Sequence, residues 1–445
     1  MTASNPQVRR PRRRGWVALL PLALLALLIG VLGLSMGNFS QVPMTMVFLI
    51  TSVAALFTLR GFAVQERLQV YSAGAGSTDL LLMVWIFVLA GAFAQSAKVM
   101  GAVSATVDFT MWLLPGSMLL AGLFVAACVV SLCMGTSVGT IVALVPVAVD
   151  MAARTSSSVP LMVGAVVGGS FFGDNLSFIS DTTVAATRTQ GCRMADKFRT
   201  NFRIVMPAAV VCFLIYMALG MQQEAGLAAA APTEMYPLRI LPYVAVLALA
   251  VSGVDVTLVL CIGLLLTGII GVGQGSYSVA GWLQAMAQGV TGMGDLIIIS
   301  MMAGGLLSVV RRGGGVTYLV RGLTRRVHSR RGAEWCMSAL VAFTNCCTAN
   351  NTVAILSVGS IARDISRRYG VSNRRAASLL DIWSCVVQGI IPYGAQLLMA
   401  SGLAAISPVS TIPLLFYPFL LAVCAAVSML LGGERRRKLT PEQAS

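Results

Sequence analysis

Read by its apolar and polar positions, the chain is a succession of hydrophobic runs separated by short basic segments. The runs fall at 16–34, 43–59, 80–97, 113–134, 140–153, 159–183, 203–221, 237–252, 255–273, 290–310, 333–347, 352–366, 374–396 and 411–431. Many approach the roughly 20 residues that a helix needs to cross about 30 Å of hydrocarbon. The pattern predicts an all-α polytopic membrane protein. Two pairs of runs are short and meet at a polar break. The first pair meets at Gly135-Thr136-Ser137-Val138-Gly139-Thr140, the second at Thr344-Asn345-Cys346-Cys347-Thr348-Ala349-Asn350-Asn351-Thr352. Both pairs read as hairpins, either re-entrant or fully spanning. Runs 159–183 and 374–396 carry polar residues in their interiors and read as broken helices.

The most costly polar residues lie in the first of those broken runs. If it were one helix, Asp174 and Asp181 would share a face about 10 Å apart along the axis, with Ser177 on the same stripe. At the bilayer centre each ionised Asp costs roughly 2.5–3.5 kcal/mol on insertion scales. Such acids persist where they meet a cation, a proton or a water-filled cavity. The competing reading makes both residues caps at a helix end in water.

Charge orders the runs. Threaded alternately across the membrane, they leave 28 of the 31 Lys and Arg on one side, with only Lys98, Arg154 and Arg239 on the other. By the positive-inside rule that side is cytoplasmic. The reading places the chain in a bacterial-type inner (plasma) membrane with both termini in the cytoplasm. Arg9, Arg10, Arg12, Arg13 and Arg14 precede the first run, which is expected to be a retained helix rather than a cleaved leader.

The threading also reveals a repeat. An offset of 212 residues carries 80–97 onto 290–310, Thr140 onto Thr352 and 203–221 onto 411–431, and sets Asp181 opposite Tyr393. Each half makes an odd number of net crossings, so the halves are expected to be inverted. The expected layout is a basic tail (1–15), a first transmembrane repeat (16–221), an external linker (222–236), a second, inverted repeat (237–431) and a basic tail (432–445). Residues 184–201 are expected to form a cytoplasmic surface helix, and the two tails to be disordered. Inverted repeats with interrupted segments at matching positions mark secondary transporters, with the site near the midplane.

Composition narrows the function. The chain is 57% hydrophobic and 11% charged, outside the range of soluble domains. The +15 net charge lies in loops between spans, so it orients the chain and does not mark a nucleic-acid partner. The ten Cys form no CxxC pair, which disfavours a zinc or redox site. His328 reads as solvated among Arg325, Arg326 and Arg330. Gly292-Met293-Gly294-Asp295 matches the GxGD pattern of intramembrane aspartyl proteases, but the Tyr-Asp partner pair is missing. No nucleotide-binding motif is present and no enzyme activity is expected. The driving energy is then expected to be an ion gradient, or the protein is a channel, and no cofactor is expected.

Four polar patches would converge if the halves pack about a pseudo-two-fold axis. The first hairpin tip supplies Thr136, Ser137 and Thr140; the first broken helix supplies Asp174, Asn175, Ser177, Asp181, Thr182 and Thr183. The second tip supplies Asn345, Thr348, Asn350, Asn351 and Thr352; the second broken helix supplies Asp381, Ser384, Gln388 and Gln396. All offer oxygen, the donor of hard cations. Taken singly, the Ser, Thr and Gln residues also fit ordinary interhelical hydrogen bonding.

The string Gly173-Asp174-Asn175-Leu176-Ser177-Phe178-Ile179-Ser180-Asp181-Thr182-Thr183, with Ala349-Asn350-Asn351-Thr352 and the stretch from Ser378 through Asp381 and Gln388 to Gln396, resembles the NhaC sodium/proton antiporter family. The likeness covers roughly 80 to 430. It implies inverted repeats with paired hairpins, Na⁺ exchanged for H⁺, and an elevator-like motion. Many members are expected to carry a Pro-containing variant where this chain has Phe178-Ile179. On this reading Asp174 and Asp181 hold cation and proton in turn, and Asn350 and Asn351 complete the Na⁺ site. The partners are the lipid bilayer, a monovalent cation and the proton, and a homodimer is left open. The alternative is a cation-coupled transporter or exchanger of a small organic acid or amino acid, disfavoured by the lack of an evident intramembrane Arg.

Overall fold

The computed structural model describes residues 15–36, 42–113, 115–155, 157–177, 180–223, 236–252, 254–325 and 327–431. Both tails, most of the 222–236 linker and Phe178-Ile179 lie outside the described residues. The described chain is helical. The first half holds α1 (Leu20–Ser35), α2 (Met44–Thr58), α3 (Val64–Ala75), α4 (Thr78–Met100), α5 (Ala102–Leu113), α6 (Leu119–Met134), α7 (Ser137–Arg154), α8 (Val159–Leu176), α9 (Asp181–Gln190) and α10 (Met194–Gln223). The second half holds α11 (Pro237–Val251), α12 (Val256–Gly273), α13 (Val279–Gly292), α14 (Gly294–Arg312), α15 (Gly315–Thr324), α16 (Arg330–Thr348), α17 (Asn351–Tyr369), α18 (Asn373–Ile390), α19 (Ala395–Ala404), α20 (Pro408–Thr411) and α21 (Phe416–Leu431).

Among the described residues, eight helical stretches are long and apolar enough to cross a bilayer, or nine if the bent pair Pro408–Leu414 and Phe416–Leu431 is one span. Helices outnumber the expected spans because α3, α5, α13, α15 and α20 are separate, shorter elements and because two runs split, into α8 and α9 and into α18 and α19. Outward faces are apolar: Leu27, Val31, Trp85, Leu214, Ile269 and Val423 are all exposed. An exposed rim of this kind suits lipid, which needs no polar surface. The chain is an all-α, multi-pass membrane protein.

Helix ends recur along the described chain at a spacing nearer 214 residues than 212. Backbone conformation makes this plain. Left-handed residues sit at Gly61, Gly101, Gly135 and Gly191 in the first half, and at Gly275, Gly314, Ala349, Gly370 and Ala405 in the second; all but Gly370 pair off. The four pairs are offset by 213 or 214 residues. Packing is reciprocal as well: α3 lies against α14 and α4 against α13, while α9 lies against α17 and α19 against α7. A Cβ on Gly91 would stand 2.5 Å from the Gly289 carbonyl oxygen, and a Cβ on Gly74 would stand 2.5 Å from that of Gly304. Small residues let these helix backbones touch.

Ala349 and Ala405 are the only described non-glycine residues with positive φ, at 48° and 52°. Left-handed geometry costs an L-residue roughly 1–2 kcal/mol, part of which glycine loses to its freer unfolded chain. Ala405→Gly is therefore expected to stabilise by up to about 1 kcal/mol, and the mirror change Gly191→Ala to destabilise. Thermal melts of the two variants in detergent check the sign. A lower midpoint for Ala405→Gly would refute this account.

Two basic residues expected in cytoplasmic segments are buried instead. Residues 184–201 are not a surface helix: α9 packs on α17 and α18, and Lys197 in the first turn of α10 is 1% exposed. Arg375 on α18 reaches Glu334 on α16 at 2.9 Å and donates to Ser428 on α21 at 2.7 Å. That clamp joins the root of the second hairpin to two neighbouring helices.

Candidate functional site

The broken run 159–183 does not form one helix. α8 ends at Leu176, Ser177 is extended, and α9 starts at Asp181 behind Ser180. Asp174 and Asp181 are thus the last turn of one helix and the first turn of another, not one stripe. Gly173 lets this happen close to the hairpin, since any Cβ there would run into Ser131 of α6. α18 breaks in the same way after Ile390, and α19 restarts at Ala395 behind Gly394.

The breaks and hairpin tips surround one cavity of about 200 Å³. Its wall includes Thr136 and Ser137 from the first tip, Asn350, Asn351 and Thr352 from the second, Asp174, Asp181 and Thr182 around the first break, and Gln388 and Gln396 around the second. Four helices, α7, α9, α17 and α19, start at this wall. Their N-termini turn the positive ends of four peptide dipoles on the cavity, which favours negative charge there. Asp174 and Asp181 supply it. Asp174 is buried at 4% exposure, whereas Asp181 is exposed.

A line of hydrogen bonds ties the second tip to Asp174. Gln388 donates to the Ala349 carbonyl (3.0 Å) and to Gln396 Oε1 (2.9 Å). Gln396 donates to Ser137 Oγ (3.0 Å), and the Ser137 backbone N–H donates to Asp174 Oδ1 (3.1 Å). An offset of 214 sets Asp174 against Gln388 and Thr182 against Gln396. Positions 174 and 388 therefore offer a carboxylate and a neutral amide to the same cavity. Among the described residues no Lys or Arg pairs with Asp174.

Other expected site residues lie away from the cavity wall. Asn175, Thr183 and Asp381 gather behind it around Lys197. The Lys197 ammonium donates to the Asn175 carbonyl (2.8 Å) and to Thr183 Oγ1 (2.7 Å), and lies 2.9 Å from Asp381 Oδ2. Asn201, one turn on, donates to the Asn175 carbonyl (2.8 Å) and to Asp381 Oδ2 (2.7 Å). Ser177 is buried beside the break, and Thr140 is buried one turn into α7, donating to Thr136 O at 3.1 Å. Asn345 donates to the Ser384 carbonyl (2.8 Å), holding the hairpin to α18. Thr348 faces a second cavity of about 220 Å³, which shares Met83, Ala349, Asn350 and Ala395 with the first and is also lined by Ser300, Ser308 and Arg311.

Lys197 and Asn201 were not among the expected site residues, yet the signal was present. They continue the buried stripe Ile204, Ala208, Cys212 and Tyr216 of α10 toward its N-terminus at helical spacing. A basic residue in phase with an apolar stripe points inward.

Two separate stretches, residues 14–221 and 230–433, match the profile described as the Na+/H+ antiporter family. The chain belongs to the Na⁺/H⁺ antiporter family. It is 23% identical over 428 residues to the Na(+)/H(+) antiporter NhaC of Bacillus subtilis (strain 168), covering 88% of this chain and 92% of that one. The NhaC of Alkalihalophilus pseudofirmus is 25% identical over 289 residues, 58% of this chain and 62% of its own. A more limited likeness, 26% over 145 residues, joins 33% of this chain to 31% of the malate-2H(+)/Na(+)-lactate antiporter of Bacillus subtilis. Family members are transporters, not enzymes, and the GxGD motif at exposed Asp295 is no protease signature here.

Proposed function

We propose that the protein exchanges Na⁺ for H⁺ across a bacterial-type inner membrane, with Asp174 as the acid that cation and proton occupy in turn. The observation that carries this reading is the state of Asp174: a buried carboxylate on a polar cavity, held by a neutral N–H donor and paired with no Lys or Arg among the described residues. An unpaired charge buried in this way is strongly unfavourable. The group is stable with a proton on it or a cation beside it, and alternation between the two couples opposite fluxes. Asp181, on the same cavity, draws the cation in. Side-chain oxygens of Thr136, Ser137, Asn350, Asn351 and Thr352 replace part of its water shell. Asp381 contributes differently, since Lys197 already neutralises it. The two halves are inverted repeats, with both termini cytoplasmic.

The test is purified protein in liposomes with a trapped pH dye. An external Na⁺ pulse is expected to make the lumen alkaline, and Li⁺ and K⁺ pulses rank the cations. A lumen that responds to an added ionophore but to no monovalent cation would overturn the proposal.

A second reading, exchange of a small organic anion, is favoured by the four helix N-termini on the first cavity and by Arg311 on the adjoining one. A relative is named as a malate and lactate antiporter. Labelled malate or lactate taken up against a Na⁺ or proton gradient in the same liposomes would establish it. Uptake unchanged from protein-free liposomes would leave cation exchange alone.

A further inference from the structure

The cluster behind the cavity has the chemistry of a cation site, and its occupant is part of the protein. Asn175 O is a carbonyl at the end of α8, Thr183 Oγ1 belongs to the first turn of α9, and Asp381 comes from α18. Three separate elements thus aim oxygens at one point, 2.7 to 2.9 Å from the Lys197 nitrogen. The C-terminal end of α8 adds its negative dipole end. The cluster also holds more acceptors than donors. Asn201 Oδ1 and Asp381 Oδ1, on the two side chains that share a hydrogen bond beside the ammonium, are both buried without a hydrogen-bond partner. Native interiors leave few such atoms unsatisfied, so two on adjoining side chains point to a missing positive partner. The ammonium satisfies one side of an oxygen cage whose other oxygens have nothing to bind. Hard, oxygen-only donor sets of this type suit alkali and alkaline-earth cations.

We propose that this cage is a second monovalent-cation site, and that Lys197 is its tethered occupant. The inference rests on the exchange reading above only in taking the protein to handle Na⁺. With Lys197 in place, the charge of Asp381 is cancelled permanently, and the ions that move are those on Asp174 and Asp181. Removing the ammonium opens the cage to a mobile ion. By this account Lys197 sets how many cations the protein holds.

The test is equilibrium binding of radioactive Na⁺ to purified protein in detergent, which needs no transport. Lys197→Met is expected to bind one more Na⁺ per chain than the unaltered protein, and Lys197→Met with Asp381→Asn to lose the gain. A folded, monodisperse Lys197→Met that binds no extra Na⁺ or K⁺ would overturn the proposal. Should Lys197→Met fail to fold in cation-free buffer, extraction in Na⁺, K⁺ or methylammonium is expected to restore it. Failure of all three to do so would equally overturn it. Unaltered protein that binds no Na⁺ would count against the exchange reading instead, and the increment on mutation is scored separately.

Discussion

Asp174→Asn is expected to reduce Na⁺-driven proton movement to the level of protein-free liposomes while leaving the fold intact. The amide has the same shape, still accepts from the Ser137 N–H, and is easier to bury than a carboxylate. It cannot take up and release a proton, so coupling fails. Asp181→Asn should be milder, weakening Na⁺ dependence severalfold, because Asp181 is exposed and acts on the cation through charge across the cavity. Expression, detergent monodispersity and thermal midpoint are measured beside flux. Full Na⁺-driven flux in a well-folded Asp174→Asn, Asp181→Asn double variant would end the proposal. Poor folding with full activity per folded molecule would assign the pair a structural role.

Much of the architecture was legible because lipid imposes a single rule. A span must be apolar and long, so α4, α8, α10 and α12 stand close to the runs read from the sequence. The short helices were not legible for the opposite reason. α3 carries Gln65, Glu66, Arg67 and Gln69, and an element that is only partly apolar resembles a loop by hydropathy. Its role came from backbone contact through Gly74, which hydropathy does not register. The 212-residue offset rests on apolar runs, whose edges are vague. The left-handed residues, where helices actually stop, place it at 213 to 214.

The site was legible to the extent that oxygen-bearing residues had no other reason to lie in apolar runs. Asp174, Asp181, Thr136, Ser137, Asn350, Asn351 and Gln388 all line one cavity. The sequence could not separate exposed Asp181 from buried Asp174, because that depends on the helix breaking between them. Nor did it distinguish an acid with a partner from one without. Lys197 lies 184 positions before Asp381 and within a basic cluster that charge counting assigns to the cytoplasm. Counting by sign treats every Lys as solvated; burial on a helix face decides otherwise.

That distinction gives Asp381→Asn the largest expected effect on stability. Asp381 is wholly buried and Lys197 nearly so, with the two groups 2.9 Å apart. Removing one member of a buried pair leaves the other charge uncompensated, at a typical cost of about 3–5 kcal/mol. The remaining partners of Lys197, the Asn175 carbonyl and Thr183 Oγ1, are neutral. Asn201 would also face an amide where it now meets a carboxylate oxygen. Asp381→Asn should therefore lower the thermal midpoint and the yield of monodisperse protein sharply, in contrast to Asp174→Asn, which removes a charge that has no partner. Replacing both members, Lys197→Met with Asp381→Asn, should recover most of the loss, since neither charge of the pair then remains. Thermal melts of the two single variants and the double variant decide it: equal stability of Asp381→Asn and Asp174→Asn, or no recovery in the double variant, would show that Lys197 and Asp381 are not the energetic pair their geometry describes.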